Sequence, residues 1–243
     1  MNVPVWAAEM ASSFWRTVRS EARFPRDLQA AIEWSLPLTI QSIRDFSVEA
    51  AREWLAKRNL PFGLVSSDRL LHGMLVTCRG EGVIFLNATD DESEQRFSLA
   101  HELAHYLRDC LRPRKRVEKH LGTEALDVLD GRRDAAASER IVGMVEGFAL
   151  ECIVHILERD REGRYTSGKI AEAERKADRL AFELLAPARH LATEGLVGIS
   201  SEGWPRVLRE RYGLPNWAAD RYAEILAPQE PRDTLLGSLF AKR

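Results

Sequence analysis

The chain has 243 residues, of which 45% are hydrophobic and 30% are charged, a composition typical of a soluble globular protein. Its formal net charge of -2 and pI of about 6.3 argue against a protein that binds nucleic acid through an overall positive charge. Three widely spaced cysteines (Cys78, Cys110 and Cys152), no secretion leader and no membrane-spanning apolar stretch predict a cytoplasmic protein without disulfides or a membrane contact.

The first 60 residues are predicted to form an N-terminal helical region. One helix is expected over residues 4–19, and a second over residues 48–60, where apolar side chains recur at helical spacing. Pro61 and Gly63 end the second helix. We find no motif in this region that can be tied to chemistry.

Two short apolar runs follow, at residues 73–78 and 82–88, joined by a turn that contains Gly80. Such a pair predicts a β-hairpin. Apolar residues then recur at Phe97, Ala100, Ala104 and Leu107, and this spacing predicts a helix with a buried face.

The rest of the chain reads as mostly helical. Residues 112–133 are polar and are expected to be irregular, whereas residues 141–157 are apolar and predict a buried helix. Further predicted segments are a polar loop at 159–168, helices at 170–185, 204–212 and 217–226, and a loose tail from Pro228. We therefore expect one domain over residues 61–226, with a helical insertion at about 112–167 and a C-terminal tail at 227–243.

The helix after the hairpin contains the motif H-E-x-x-H, formed by His101, Glu102 and His105. Residues four apart lie on one face of a helix, so both imidazoles can reach one metal ion. The intervening Glu can take a proton from water that a metal ion has made more acidic. The predicted fold is therefore α+β, mostly helical, with a small antiparallel sheet beside an H-E-x-x-H helix.

A tetrahedral catalytic site needs a third protein ligand. The best candidate by spacing is Glu174, because Asp178 lies one helical turn later and can hold a ligand imidazole in one tautomer. An equally open interpretation is that Glu174 belongs to a charged helical face. Glu146 and Glu151 in the insertion are the competing ligands.

Two segments resemble signatures of the ImmA/IrrE family of metallopeptidases. Residues 97–107 (FSLAHELAHYL) resemble the metal-helix signature, and residues 174–187 resemble a second signature, E-x-x-A-[ND]-x-F-A-x-x-L-L-x-P. Leu180 stands where the family has Phe, a substitution that keeps an apolar side chain. Residues 69–73 and 82–87 also resemble the part of the family that precedes the metal helix.

The resemblance implies a gluzincin-like zinc peptidase with one Zn²⁺ per chain. His101, His105 and Glu174 would be the ligands, Glu102 the general base and Asp178 a partner of a ligand imidazole. The expected partner is a protein substrate, a helix-turn-helix repressor whose cleavage releases stress-response genes. One departure is the 69 positions between His105 and Glu174, more than the family pattern leads us to expect.

Other functions and roles stay open at the level of sequence. A metal-bound sensor could sequester a repressor without cutting it, and a DNA-binding regulator could use the helices at 204–226. Tyr106, His155 and His190 are candidates for a group that stabilises the oxyanion of the reaction. An extended substrate could pair with an edge of the hairpin.

Overall fold

The computed structural model describes residues 3–18, 23–60, 68–146, 155–160 and 168–227. The strands are β1 (Leu38–Ile43), β2 (Leu71–Cys78), β3 (Glu81–Asn87) and β4 (His155–Asp160). The helices are α1 (Val5–Val18), α2 (Leu28–Ser35), α3 (Val48–Ala56), α4 (Glu92–His105), α5 (Arg112–Leu121), α6 (Leu126–Leu129), α7 (Ala137–Glu146), α8 (Gly168–Leu185), α9 (Ala188–His190), α10 (Trp204–Glu210) and α11 (Asn216–Leu226). Short 3₁₀ turns lie at Thr123–Ala125 and Ser201–Gly203, and π-helical segments at Tyr106–Leu111 and Leu191–Gly195. The predicted α+β class is confirmed.

The four strands form one sheet in the order β1-β3-β2-β4. β2 and β3 form the predicted antiparallel hairpin, with Leu75 opposite Ile84. β1 runs parallel to β3, and β4 runs antiparallel to β2. The sheet is therefore mixed rather than a hairpin alone, and both edges of the hairpin are already paired. A substrate strand, if one adds to this sheet, must pair with β1 or β4.

The two faces of the sheet bury different clusters. Leu75 and Ile84 face the larger cluster, which contains the apolar residues of α1, α4, α8 and α11. Their neighbours Met74 and Phe85 face a second cluster around α3. This alternation follows from the two-residue period of a strand. The sheet thus lies between α3 on one face and the pair α4–α8 on the other.

Four segments differ from the expectations: residues 1–60, 112–133, 141–157 and 159–168. In the last, β4 contains the first two residues of the predicted loop, and residues 161–167 lie outside the described part of the chain. Residues 112–133 contain α5, a 3₁₀ turn and α6, because α5 continues the preceding helix through the π-helical segment and starts with a proline in its first turn. Within residues 1–60, β1 joins the sheet; its alternation of Leu38 and Ile40 with polar residues is the signal for a strand.

The predicted buried helix at 141–157 is found only in part. α7 covers its beginning, but Ile141, Met144 and Val145 are 62%, 82% and 79% exposed, and residues 155–157 belong to β4. Residues 147–154 of that prediction, and the tail from Pro228, lie outside the described residues. Within the described part of the chain, no helix has the length and apolar character needed to cross a membrane. The proposed domain limits stay predictions.

Candidate metal centre

The H-E-x-x-H residues lie on α4, which is buried along most of its length. Asp91 caps the helix, with its side chain accepting a hydrogen bond from the Glu94 backbone N–H at 2.9 Å. Phe97, Ala100, Leu103 and Ala104 pack into the larger cluster. Helical spacing puts His101 and His105 one turn apart, with ring centroids separated by 4.9 Å.

Glu174 reaches both imidazoles from α8. Its Oε2 lies 3.0 Å from Nε2 of His101, and its Oε1 lies 3.2 Å from Nε2 of His105. The ligand atoms of these three buried residues all lie within 4.8 Å of one another, the geometry of a group that could hold a metal ion. Among the described residues, this is the one such group of three or more His, Cys, Asp and Glu side chains. The structure therefore brings the predicted His101, His105 and Glu174 together.

The other nitrogen of each imidazole is held by an aspartate. Nδ1 of His101 lies 3.0 Å from Oδ1 of Asp178, and Nδ1 of His105 lies 3.1 Å from Oδ2 of Asp109. An Nδ1–H that donates to a carboxylate leaves the Nε2 lone pair available, and this is the arrangement that metal-binding histidines usually have. Both Nε2 atoms point toward Glu174. The donor set therefore fits a metal ion such as zinc.

The pKa shifts in the cluster favour positive charge between the carboxylates. Burial lowers the pKa of His101, but hydrogen bonds to Asp178 and Glu174 outweigh burial and raise it to about 9. The pKa of His105 is raised in the same way by Asp109 and Glu174. Burial opposes the ionisation of Glu174, yet its two imidazole partners lower the pKa of this carboxyl.

The formal charge of the cluster also favours a cation between the carboxylates. Two guanidinium groups, from Arg108 and Arg221, bind the aspartates that hold the imidazoles. The cluster contains four carboxylates: Glu102, Asp109, Glu174 and Asp178. With neutral imidazoles, two negative charges are left, which is the charge that a divalent cation would balance.

Glu102 lies beside the ligand residues and is only 1% exposed. Gly73 of β2 packs directly against it: a Cβ atom built on Gly73 would lie 3.1 Å from Oε1 of Glu102. That contact is tighter than ordinary van der Waals separation. The absence of a side chain at Gly73 thus makes the room that the Glu102 carboxylate occupies.

The residues considered as oxyanion donors lie in other surroundings. The Tyr106 hydroxyl donates a hydrogen bond to the Gly80 carbonyl at 2.7 Å, and burial raises its pKa to about 12. His190 stacks on Phe24, with centroids 4.6 Å apart. These contacts give both side chains structural partners, and their role as oxyanion donors stays a prediction. The side chain of His155, like Glu151 and the side chain of Glu146, lies outside the described residues.

Sequence reasoning missed Asp109, Arg108, Arg221 and Gly73. Asp109 follows His105 by four residues, so helical spacing alone could have indicated the pair. Arg221 and Gly73 could not be found this way, because α11 and β2 meet the site only through tertiary packing.

Comparison with known families agrees with this geometry. Residues 64–126 match the family model Peptidase_M78, described as the IrrE N-terminal-like domain. The matched segment contains His101, Glu102 and His105, and ends before Glu174. The match confirms the resemblance to the ImmA/IrrE metallopeptidases and supports a peptidase. Neither the curated proteins nor the solved structures contain a significant match to the chain.

Proposed function

We propose that this protein is a zinc-dependent peptidase that binds the ion with His101, His105 and Glu174. The observation that carries the proposal is the convergence of both Nε2 atoms on the Glu174 carboxylate, with each Nδ1 held by an aspartate. Zinc is favoured because two imidazoles and one carboxylate, with an open fourth position, form a common set of catalytic zinc ligands.

The chemistry is amide hydrolysis. A zinc ion bound at these ligands would supply Lewis acidity toward the scissile carbonyl and increase the acidity of the attacking water. Glu102 accepts a proton from that water and then donates it to the leaving amine. Burial of Glu102 keeps bulk water from competing for this proton.

We further propose a cytoplasmic regulatory protein as substrate, with a helix-turn-helix repressor as the leading class. This part rests on the resemblance to the ImmA/IrrE family. Cleavage of a repressor would release the genes that it controls, including those of a stress response. Neither direct binding to nucleic acid nor a membrane contact is part of the proposal.

The metal site is tested first by metal content. Purified wild-type protein should contain about one zinc per chain by mass spectrometry, as expected for a site with three protein ligands. Glu174→Ala should contain much less. Equal zinc in both proteins would exclude Glu174 as a ligand and direct attention to Glu146 and Glu151.

The peptidase reaction is tested with Glu102→Gln. The amide keeps the shape of the side chain but cannot act as a base, so cleavage should fall by about 10²–10⁴-fold. Cleavage is measured by mass spectrometry of peptide products from a mixture of denatured proteins, and zinc content should equal that of the wild type. If Glu102→Gln keeps its effect on gene expression, the protein acts as a non-cleaving sensor.

A further inference from the structure

The segment directly after the metal motif is a π-helix, Tyr106–Leu111, inserted between α4 and α5. Single π-helical turns inside α-helices are uncommon and occur often at functional sites. Two charged residues of this segment, Arg108 and Asp109, lie next to the metal ligands. Neither belongs to the signatures that the sequence displays.

Arg108 connects the two helices that carry the ligands. Its Nε and Nη2 donate to the two carboxylate oxygens of Asp109, at 2.7 and 2.6 Å. Its Nη1 donates to the Ala173 carbonyl of α8, at 2.7 Å. Ala173 directly precedes Glu174, so this hydrogen bond fixes the turn of α8 from which the third ligand projects.

Asp109 connects Arg108 to His105 by hydrogen bonds. Its Oδ2 accepts hydrogen bonds both from Arg108 and from Nδ1 of His105. The Arg108 side chain is 12% exposed, which limits the competition of water for its donors. A planar guanidinium that donates hydrogen bonds to both oxygens of one carboxylate is held in a defined orientation. A lysine ammonium cannot reproduce this two-point contact.

We propose that Arg108 is the positioning residue of the metal centre, setting His105 through Asp109 and Glu174 through the Ala173 carbonyl. The inference rests on the proposed metal site and deepens it. His105 and Glu174 are 69 positions apart, and the chain between them includes α5, α6, α7 and β4. The Arg108 side chain thus links the positions of His105 and Glu174 across this insertion.

The test compares zinc affinity in full-length variants, by competition with a chromophoric chelator. Arg108→Gln should weaken zinc binding by about 10–100-fold, the usual effect of losing a residue that orients a metal ligand. The zinc affinity of Arg108→Lys should lie between those of Arg108→Gln and the wild type. Arg112→Gln, an exposed arginine one helical turn later, is the matched control and should bind like the wild type.

A spectroscopic readout separates positioning from general stability. Cobalt in the wild-type site should give the visible bands of a four-coordinate ion, and Arg108→Gln should change their position or intensity, while Arg112→Gln should not. Asp109→Asn, a substitution of nearly equal size, should weaken affinity as well. The variant that combines Arg108→Gln with Asp109→Asn should lose less free energy of zinc binding than the two single variants lose together, because Arg108 acts partly through Asp109.

The outcomes are distinct. Wild-type affinity and an unchanged cobalt spectrum in Arg108→Gln, with metal bound to the wild type, would overturn the role of Arg108 and leave the proposed function intact. A wild-type chain that takes up neither zinc nor cobalt would overturn the metal site, and with it this inference.

Discussion

Gly73 determines how much room the neighbouring Glu102 carboxylate has. It lies on β2, and the strand passes so close to α4 that the glycine faces the carboxylate of Glu102. A methyl group at this position would have to displace either Glu102 or the strand by a few tenths of an ångström. A proton acceptor that must be placed accurately is sensitive to such a shift.

We therefore expect Gly73→Ala to lower peptidase activity by about tenfold through the displaced Glu102 carboxylate, with zinc content unchanged. Activity and metal content measured on the same preparation check the prediction. Gly168→Ala is the control, because its Cβ would meet no atom within 4 Å, and it lies at the start of α8. Full activity in Gly73→Ala would show that the Glu102 carboxylate tolerates displacement.

At the scale of the element, the start of α4 depends on Asp91. Its Oδ1 accepts hydrogen bonds from the Glu94 backbone N–H at 2.9 Å and from the Ser93 hydroxyl at 2.6 Å. The hydroxyl and backbone N–H groups lower the pKa of the Asp91 carboxyl. The cap therefore stabilises the folded state most when Asp91 is ionised.

Asp91→Ala should reduce the free energy of unfolding by about 1 kcal/mol at pH 7, the usual cost of removing an N-cap. Because the folded-state pKa is lowered, the ionised-cap contribution is present above the unfolded pKa and is lost as pH falls through the lower folded value. The difference in unfolding free energy between the wild type and Asp91→Ala, measured by urea melts, should thus narrow below about pH 4, the ordinary pKa of Asp.

Asp91→Asn provides the matched comparison, since Asn also caps helices but carries no charge. It should keep most of the stability at pH 7. The difference in unfolding free energy between Asp91→Asn and Asp91→Ala should stay constant on acidification, because neither side chain titrates. If the difference in unfolding free energy between Asp91→Asn and Asp91→Ala changed with pH, the pH effect would belong to another carboxylate.

Local patterns predicted the elements of this chain well where one periodicity dominated. The hairpin and the helices carrying His101 and Glu174 have clear apolar spacing and clear stop signals, and the structure contains them. The strands β1 and β4 were missed because each has only a few apolar residues and is stabilised by pairing with a distant strand. Pairing partners are a tertiary property that spacing alone does not express.

The same distinction applies to the candidate site. The motif predicted the two histidines and the glutamate between them. Helical spacing made Glu174 and Asp178 candidates, and the resemblance to a family favoured them over a charged helical face. Asp109 was accessible by helical spacing, whereas Arg221 depends on how α11 packs beside α8. The residues that orient the ligands were thus harder to predict than the ligands, because they come from separate parts of the fold.

For the whole molecule, metal binding should be linked to stability. The proposed ligands come from α4 and α8. An ion that binds only the folded chain stabilises it by about 2.7 kcal/mol at a free concentration of 100 times Kd. For a chain of this size the thermal midpoint should rise by roughly 5–10 °C. Calorimetry of the metal-free protein with and without zinc measures this increase.

Glu174→Gln is the control, since a neutral amide is a poor zinc ligand and the variant should gain much less from added zinc. A rise of equal size in both proteins would indicate that zinc stabilises the fold from another position. No rise in the wild type would contradict a structural link between α4 and α8 through the ion.

The position of β4 has a consequence for how the protein could be divided. A single backbone cut between α7 and β4 would leave both imidazoles on one fragment and the carboxylate of Glu174 on the other. The second fragment would also carry the strand that pairs with β2 of the first. The two fragments would each be incomplete as chelators, and recovery of tight metal binding would report their reassembly, as in a complementation assay.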